Sequence, residues 1–211
     1  MAVLRVNPTR MELTTMKRRL VTARRGHKLL KDKRDEMVRQ FMLRIRENHA
    51  LRKQVEEELS QAFGAFALAR ALMEPGSLLQ ALMYPARQAD LSIGQQNILS
   101  VRVPQLTVDE QSLEASHLPY GLAETSAELD QAIAAMARSL PNLLKLAEVE
   151  KACSMLADEI EKTRRRVNAL EYVMIPQFEE TIRYISMKLD ENERSTLTRL
   201  MKVKEMIKDR T

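Results

Sequence analysis

Two runs of cationic side chains are the residues best suited to chemistry in this sequence, and that chemistry is electrostatic binding. The first run holds Lys17-Arg18-Arg19, Arg24-Arg25 and Lys28, and the second is Arg164-Arg165-Arg166. Such runs form solvated helix faces, follow nucleic-acid phosphates or face acidic surfaces of a protein partner. The residue types alone leave all three interpretations open.

Residue sets for catalysis are missing from the sequence. No G-x-x-x-x-G-K-[ST] motif occurs, and the five glycines are too scattered to hold a phosphate. His27, His49 and His117 have no cysteine or paired carboxylate at a metal-binding spacing. We therefore expect no catalytic, cofactor-binding or metal site, and no enzymatic activity of the chain by itself.

The composition indicates an extended helical protein. Of 211 residues, 30% are charged and 4% aromatic, and there is no tryptophan, so only a thin core is expected. Residues 1–46 carry 14 Lys/Arg against 4 Asp/Glu, whereas residues 47–173 carry 12 against 18. One part of the molecule is therefore basic and another acidic.

The single cysteine, Cys153, excludes an intrachain disulfide and is typical of a reducing compartment. No apolar run approaches the roughly 20 residues that a membrane-spanning helix needs. We expect a cytoplasmic chain that does not insert into a membrane.

A long helix is predicted from Thr9 to about Met73. Thr9 and Glu12 have the spacing of a capping box, and Glu74-Pro75-Gly76 should end the helix. At about 1.5 Å per residue this helix would be on the order of 100 Å long. Apolar residues recur in it at steps of three and four, forming a seam for another helix. The seam consists of Leu13, Met16, Leu20, Ala23, Leu30, Met37, Phe41, Leu51, Val55, Leu59, Ala62, Phe66 and Met73.

A second long helical region carries the matching seam, from Cys153 and Leu156 to Ile207. Pro141 should break or bend the helix before it, and Pro176 should bend the second long helix or locally free a carbonyl. If Leu13 faces Ile207 in an antiparallel pair, Leu20 meets Leu200, and Phe41 lies near Phe178. His27 interrupts the first seam and is expected to fix the register.

Between the helices the apolar period changes to about two. Leu91, Ile93, Ile98, Val101 and Val103 predict a short β-hairpin, with Gly94–Asn97 as its turn. The predicted fold class is all-α dominated: a long antiparallel two-helix coiled coil with a small central module containing a short β-hairpin. The predicted domains are residues 9–74 and 123–209, which form the coiled coil, and the central module at 75–122.

Two stretches resemble a known family. Residues 7–41, NPTRMELTTMKRRLVTARRGHKLLKDKRDEMVRQF, are similar to the N-terminal signature of the D subunits of V-type and A-type rotary ATPases. Residues 164–204, RRRVNALEYVMIPQFEETIRYISMKLDENERSTLTRLMKVK, resemble the C-terminal helix of that family. With the Ala-rich middle and the short hairpin, the resemblance covers nearly the entire chain.

The resemblance implies a central rotor shaft without a catalytic role. In this family the paired helices project into a hexameric ring of nucleotide-binding subunits. A small α/β stalk subunit and a funnel-shaped subunit join the other end and link it to the ion-translocating ring in the membrane. ATP hydrolysis on the hexamer turns the shaft and drives ion transport, and ion flow in reverse drives ATP synthesis.

Two contact surfaces follow as hypotheses from the resemblance and the residue types. The contact with the ring, which bears the torque, is assigned to Arg18, Arg19, Arg24, Arg25, Lys28, Arg164, Arg165 and Arg166. The contact with the stalk partner is assigned to Phe63, Phe66, Leu68, Leu72, Leu91, Ile93, Ile98, Val101 and Val103.

Without the resemblance, the pattern also fits a free-standing basic coiled-coil scaffold, a nucleic-acid-binding rod or a chaperone-like helical arm. Phe41 is the only aromatic residue before Phe63 and lies in the seam. Because single-stranded nucleic acid is usually bound with stacking aromatics, we expect no nucleic-acid partner.

Overall fold

The computed structural model describes residues 4–83, 90–108, 120–121 and 125–208. The elements in chain order are α1 (Arg10–Leu72), α2 (Pro75–Leu82), β1 (Leu91–Ile98), β2 (Val101–Val108), α3 (Ala127–Ala169), a π-helical segment (Leu170–Met174) and α4 (Ile175–Lys208). Long helices with one two-stranded antiparallel hairpin confirm the predicted fold class.

Helix α1 begins where the capping box predicts. The backbone N–H of Glu12 donates to Oγ1 of Thr9 at 3.2 Å, which satisfies a donor that the first turn leaves free. The helix then runs for 63 residues and ends before Pro75, which occupies the first turn of α2. Every residue of the predicted seam is buried or half-buried, so the spacing of apolar residues identified the inner face of α1.

The chain divides into two compact units. Unit 1 consists of residues 1–36 and 160–211, and unit 2 consists of residues 37–159. Helices α1 and α3 each contribute residues to both units.

The core of unit 1 lies between the first part of α1 and α4. Met16 and Ala23 are buried with Phe178 and Ile185, and half-buried apolar residues pack against them. Removing these side chains from water is the main favourable term for this pairing. The segment before α1 also contacts α4, because the backbone N–H of Leu4 donates to Oγ1 of Thr181 at 3.2 Å.

Polar pairs show which residues of α1 lie opposite the second helical region in unit 1. Nη2 of Arg24 lies 2.6 Å from Oε1 of Glu179, Nε2 of His27 lies 3.3 Å from Oε2 of Glu171, and Arg10 pairs with Glu193. In each pair the two residue numbers add up to about 200. His27 thus makes the cross-helix contact expected of a polar seam residue.

The predicted register, which placed Leu20 against Leu200 and Leu13 against Ile207, is wrong. Leu200 is 60% exposed, and Ile207 is exposed as well. The error is a shift of about five to six helical turns. Since apolar residues recur at the same steps along both helices, such a shift still places apolar residues opposite one another. The period of the apolar residues therefore identified the buried face of each helix but not the register between the two helices.

The two prolines of the second helical region behave differently. The backbone N–H of Ile175 donates to the carbonyl of Leu170, five residues back, so the helix widens to π-helical geometry just before Pro176. The bend at Pro176 stays a prediction. Pro141 lies inside α3, so the helix does not break there.

The helices of unit 2 pack around a second core. Ala69, Met73, Leu78, Ala81 and Leu129 are buried together, with Phe66, Tyr120 and Ile133 against them. The Tyr120 hydroxyl donates to Oδ1 of Asp130 at 2.6 Å, and burial together with this carboxylate raises the pKa of the phenol.

A polar contact joins α1 and α3 within unit 2. Nδ2 of Asn142 donates to Oε1 of Glu58 at 2.8 Å. Hydrogen bonds from Asn142 and then from Gln54 lower the pKa of the Glu58 carboxyl, because they favour its ionised form.

The hairpin pairs β1 with β2 from Leu91–Val108 to Ile98–Val101. Its turn is Leu99-Ser100, and both residues have positive φ, 51° and 76°. The predicted turn at Gly94–Asn97 is wrong, because these residues lie inside β1. Glycine and amide residues favour turns by composition, but the burial of Val101 and Val103 fixes a pairing that puts the turn later.

Replacing Leu99 by Asn and Ser100 by Gly should stabilise the hairpin. Left-handed backbone is unfavourable for L-residues, and Asn-Gly is the preferred pair in a two-residue turn with two positive φ values. We expect the backbone amides of Gln96 and Val103 to exchange about fivefold more slowly, as a gain of about 1 kcal/mol would give. Amide exchange of the full chain measures this. As a control, Asn97→Gly should speed exchange; slower exchange in both variants would contradict the explanation.

Candidate partner-binding surfaces

The five cationic residues of α1 that were assigned to the ring contact are all exposed. Met16 and Ala23 are buried in the core of unit 1, and the five cationic residues lie at other angles around the helix, which turns about 100° per residue. Arg24 is held by Glu179. The other four, Arg18, Arg19, Arg25 and Lys28, make no ion pair with any residue that the structure describes.

Three exposed apolar residues accompany this cluster and were missed by the sequence analysis. Met11, Val21 and Leu29 lie outside the seam, and Met11 is 81% exposed. Met11, Arg18 and Arg25 are separated by seven residues each, so they share one outer face of α1. The seven-residue spacing of apolar and cationic residues opposite the seam is the sequence signal that would have identified this face.

The second cationic cluster lies on α3, also in unit 1. Arg164, Arg165 and Arg166 are exposed between two buried residues, Thr163 and Val167. Arg165 pairs with Glu161 one turn earlier, and Arg166 also interacts within the chain. This cluster is therefore partly neutralised by its own helix, unlike the α1 cluster.

The last part of α4 is exposed to solvent. Residues 190–208 are all exposed, and Leu197, Leu200, Val203 and Ile207 are between 51% and 62% exposed. Their spacing puts the four on one side of the helix, within about 120° of arc. An exposed apolar stripe marks a surface that gains from contact with a partner.

The nine residues assigned to the stalk partner separate into exposed and buried groups. Leu68 and Leu72, one turn apart on α1, are exposed, as is Phe63 on a different side of the helix. Leu91 and Ile93 on β1 are exposed too. Phe66 and Ile98 are half-buried.

Val101 and Val103 are buried, so their side chains stabilise the hairpin within unit 2 and offer no surface to a partner. Sequence reasoning grouped all five hairpin residues because alternation shows the two faces of a strand without saying which face the chain covers.

Within the described residues, no group of three or more His, Cys, Asp or Glu side chains could hold a metal ion. Across the same residues, no helix is long and apolar enough to cross a membrane. Cys153 is half-buried, and burial is the main cause that raises the pKa of its thiol, which disfavours the reactive thiolate.

Comparison with known proteins gives a consistent result. Residues 12–205 match the profile of the family described as the D subunit of ATP synthase. The V-type ATP synthase D subunit of Thermoanaerobacter pseudethanolicus is 58% identical over 208 residues, which cover 98% of this chain and 99% of the relative. That of Fusobacterium nucleatum subsp. nucleatum is 56% identical over 207 residues, covering 98% of each chain. That of Acetivibrio thermocellus is 58% identical over 208 residues, covering 98% of this chain and 94% of the relative.

Proposed function

Because the chain belongs to the family of ATP synthase D subunits, we propose that it is the rotor shaft of a V-type ATPase and transmits torque between the ATP-hydrolysing ring and the membrane ion-translocating ring. A D subunit of such an enzyme is a structural central-stalk subunit, not a catalytic one, and it works with the other subunits of the complex. Torque transmission and the identity of each partner are the proposed part.

The observation that carries the proposal is the surface of unit 1. It presents Arg18, Arg19, Arg25 and Lys28 of α1, which make no ion pair with any described residue, and α4 adds an exposed apolar stripe. A ring that encloses this unit would cover the stripe and offer carboxylates to the cations. Arg164–Arg166 belong to the same unit and contribute a weaker, partly neutralised patch.

The type of contact suits a rotor. Exposed Lys and Arg side chains are long and flexible, and each exposed ion pair contributes little, typically under about 1 kcal/mol. Such contacts form and dissolve at several angles of rotation, whereas a few strong buried pairs would hold the shaft at one angle. The cationic residues therefore hold the shaft to the ring without a deep energy minimum at any one rotation angle.

The proposed stalk partner binds unit 2, at the exposed members of the predicted set, namely Phe63, Leu68, Leu72, Leu91 and Ile93. Their exposure supports this proposal because large apolar side chains in water gain from burial. The small α/β stalk subunit is the proposed occupant, and the funnel-shaped subunit completes the link to the membrane ring. We place the chain on the cytoplasmic side, peripheral to the membrane, where a single free cysteine is stable.

Reconstitution tests the assignment. The full chain should co-purify with the nucleotide-binding hexamer and with the remaining stalk subunits, and it should bind random duplex DNA weakly, with no steep dependence on salt. If the chain stayed out of the hexamer and bound duplex DNA with a steep salt dependence, it would instead be a nucleic-acid-binding rod.

A further inference from the structure

Within the part of the chain that the structure describes, strand β1 is an edge strand whose outer side is open. Residues Leu91 to Asn97 are all exposed, and β1 pairs with β2 as the only other strand among the described residues. A two-stranded hairpin has two outer edges, each with a row of main-chain groups that face away from the partner strand. The two edges of this hairpin differ.

The pairing shows which groups face outward. Ile98 and Val101 flank a two-residue turn, so they form the first hydrogen-bonded pair, and every second pair after it is also bonded. Leu106 then belongs to a pair whose N–H groups point outward, which agrees with its N–H donating to Oε2 of Glu148 at 3.0 Å. On β1 the same alternation turns the N–H groups of Ile93, Gln95 and Asn97 outward.

The outer edge of β2 is partly blocked by the chain itself, at Pro104 and Leu106. Pro104, opposite Gln95, has no N–H to offer, and the outward N–H of Leu106 is already bound by Glu148. The corresponding N–H groups of Ile93, Gln95 and Asn97 have no acceptor among the described residues.

Strand β1 also lacks the residues that usually protect an edge. Its sequence, LSIGQQNI, has no charged residue and no proline over eight residues. Natural proteins protect exposed edges with lysine, proline, bulges or a covering element, because an open edge pairs with other chains. An unprotected edge beside a partly blocked one is the arrangement expected if β1 is covered in the assembled complex.

We propose that the outer edge of β1 accepts a β-strand from another stalk subunit of the ATPase, which extends the hairpin to a sheet of three strands. This inference rests on the proposed function, in which a stalk subunit contacts the hairpin, and it specifies that the contact is main-chain pairing. The outward N–H and C=O groups of Ile93, Gln95 and Asn97 pair with the incoming strand.

The hairpin also specifies the side chains of its partner. Leu91 and Ile93 lie opposite Val108 and Leu106, so the four form an apolar patch on one face of the hairpin. Ile93 is 69% exposed. A strand added beside β1 places alternate side chains next to this patch, because side chains alternate between the two faces of a sheet. The incoming strand should therefore carry apolar residues at alternate positions and no proline at the bonded ones.

Amide exchange at single-residue resolution, compared between the isolated chain and the assembled ATPase, tests the proposal. Pairing should slow amide exchange at Ile93, Gln95 and Asn97 by about tenfold or more, because each of these N–H groups gains a hydrogen bond. Gly94 and Gln96 should change less, because their N–H groups are already bonded to β2. Equal slowing at all five positions, or no slowing at any of them, would overturn strand addition.

A proline at Gln95 supplies the second test. Gln95→Pro removes one outward N–H and no bond to β2, and Gly94 before it accommodates the ring. Gln95→Ala is the matched control, since it removes the side chain and keeps the N–H. We expect Gln95→Pro to weaken retention of the stalk subunits about tenfold, with Gln95→Ala close to the original chain. Exchange at Val103 verifies that the hairpin persists in both variants.

Three other results would reject either strand addition or the proposed function. Equal weakening by both substitutions would mean that the Gln95 side chain, not the main chain, makes the contact, and would overturn the proposal. A dimer of the isolated chain that Gln95→Pro abolishes would show that β1 pairs with a second copy, which also overturns it. Failure of the chain to join the nucleotide-binding hexamer would instead reject the proposed function, so the two failures are distinguishable.

Discussion

Reversing the charge of the four α1 residues of the predicted ring contact that lack an ion pair among the described residues is expected to weaken binding of the chain to the nucleotide-binding hexamer about a thousandfold at low salt. The variant replaces Arg18, Arg19, Arg25 and Lys28 by Glu. Each substitution removes an attraction to the proposed acidic surface of the ring and adds a repulsion. Because all four side chains are exposed, helix content should stay unchanged. Titration of the hexamer with labelled chain at several salt concentrations measures the effect.

A matched control changes the same charge elsewhere. Lys53, Arg102, Lys145 and Lys151 are exposed residues of unit 2, and their replacement by Glu alters the net charge of the chain by the same amount. This variant should bind the hexamer within about threefold of the original chain, since charges remote from the contact act mainly through a screened long-range field. Equal loss in the two variants would assign binding to net charge and contradict a localised contact.

Truncating Ile185 and truncating Leu200 should have opposite consequences, although both residues belong to the predicted seam of α4. Ile185 is completely buried in the core of unit 1, so Ile185→Ala should lower the free energy of unfolding by about 2–5 kcal/mol. Leu200→Ala should change it by less than about 0.5 kcal/mol, because Leu200 has no covering element within the described residues. Denaturant unfolding followed by circular dichroism compares the two.

A polar substitution at Leu200 should affect binding to the hexamer rather than stability. Leu200→Asp keeps the core of unit 1 intact and places a charge in the apolar stripe, so we expect a folded chain that the hexamer retains poorly. If Leu200→Ala destabilised the chain as much as Ile185→Ala, Leu200 would be packed within the chain, as the register derived from periodicity had placed it. A stable Leu200→Asp variant with full retention would remove the stripe from the proposed ring contact.

The sequence predicted the helices and their inner faces because these depend on local rules. A capping box at Thr9, apolar residues at steps of three and four, and Pro75 after the last turn determine where α1 begins, which side is buried and where it ends. The register depends instead on long-range packing, in which Met16 and Ala23 are buried with Phe178 and Ile185. A uniform seam is compatible with several alignments, and the sequence contains no local signal for the alignment that is formed.

The sequence predicted the cationic residues of the candidate surfaces correctly as exposed, but some of the predicted apolar residues are buried. Charge identifies an exposed face reliably, because a charged side chain is rarely buried without a partner, and all eight predicted cationic residues are exposed. The type of an apolar residue does not indicate in the same way whether it is exposed. Val103 and Ile93 look alike in the sequence, yet Val103 is 2% exposed, since only packing within unit 2 decides which face of the hairpin is covered.

Observation of rotation in single complexes is the decisive test of the proposed rotor function. With Leu79→Cys as an exposed attachment point and Cys153→Ser to remove the native thiol, a bead is fixed to this chain while the nucleotide-binding hexamer is held on a surface. We expect ATP to drive rotation of the bead in one direction, at a rate proportional to hydrolysis, and rotation to stop when ATP is removed. Continued ATP hydrolysis by intact complexes with a bead that does not turn would contradict a rotor shaft.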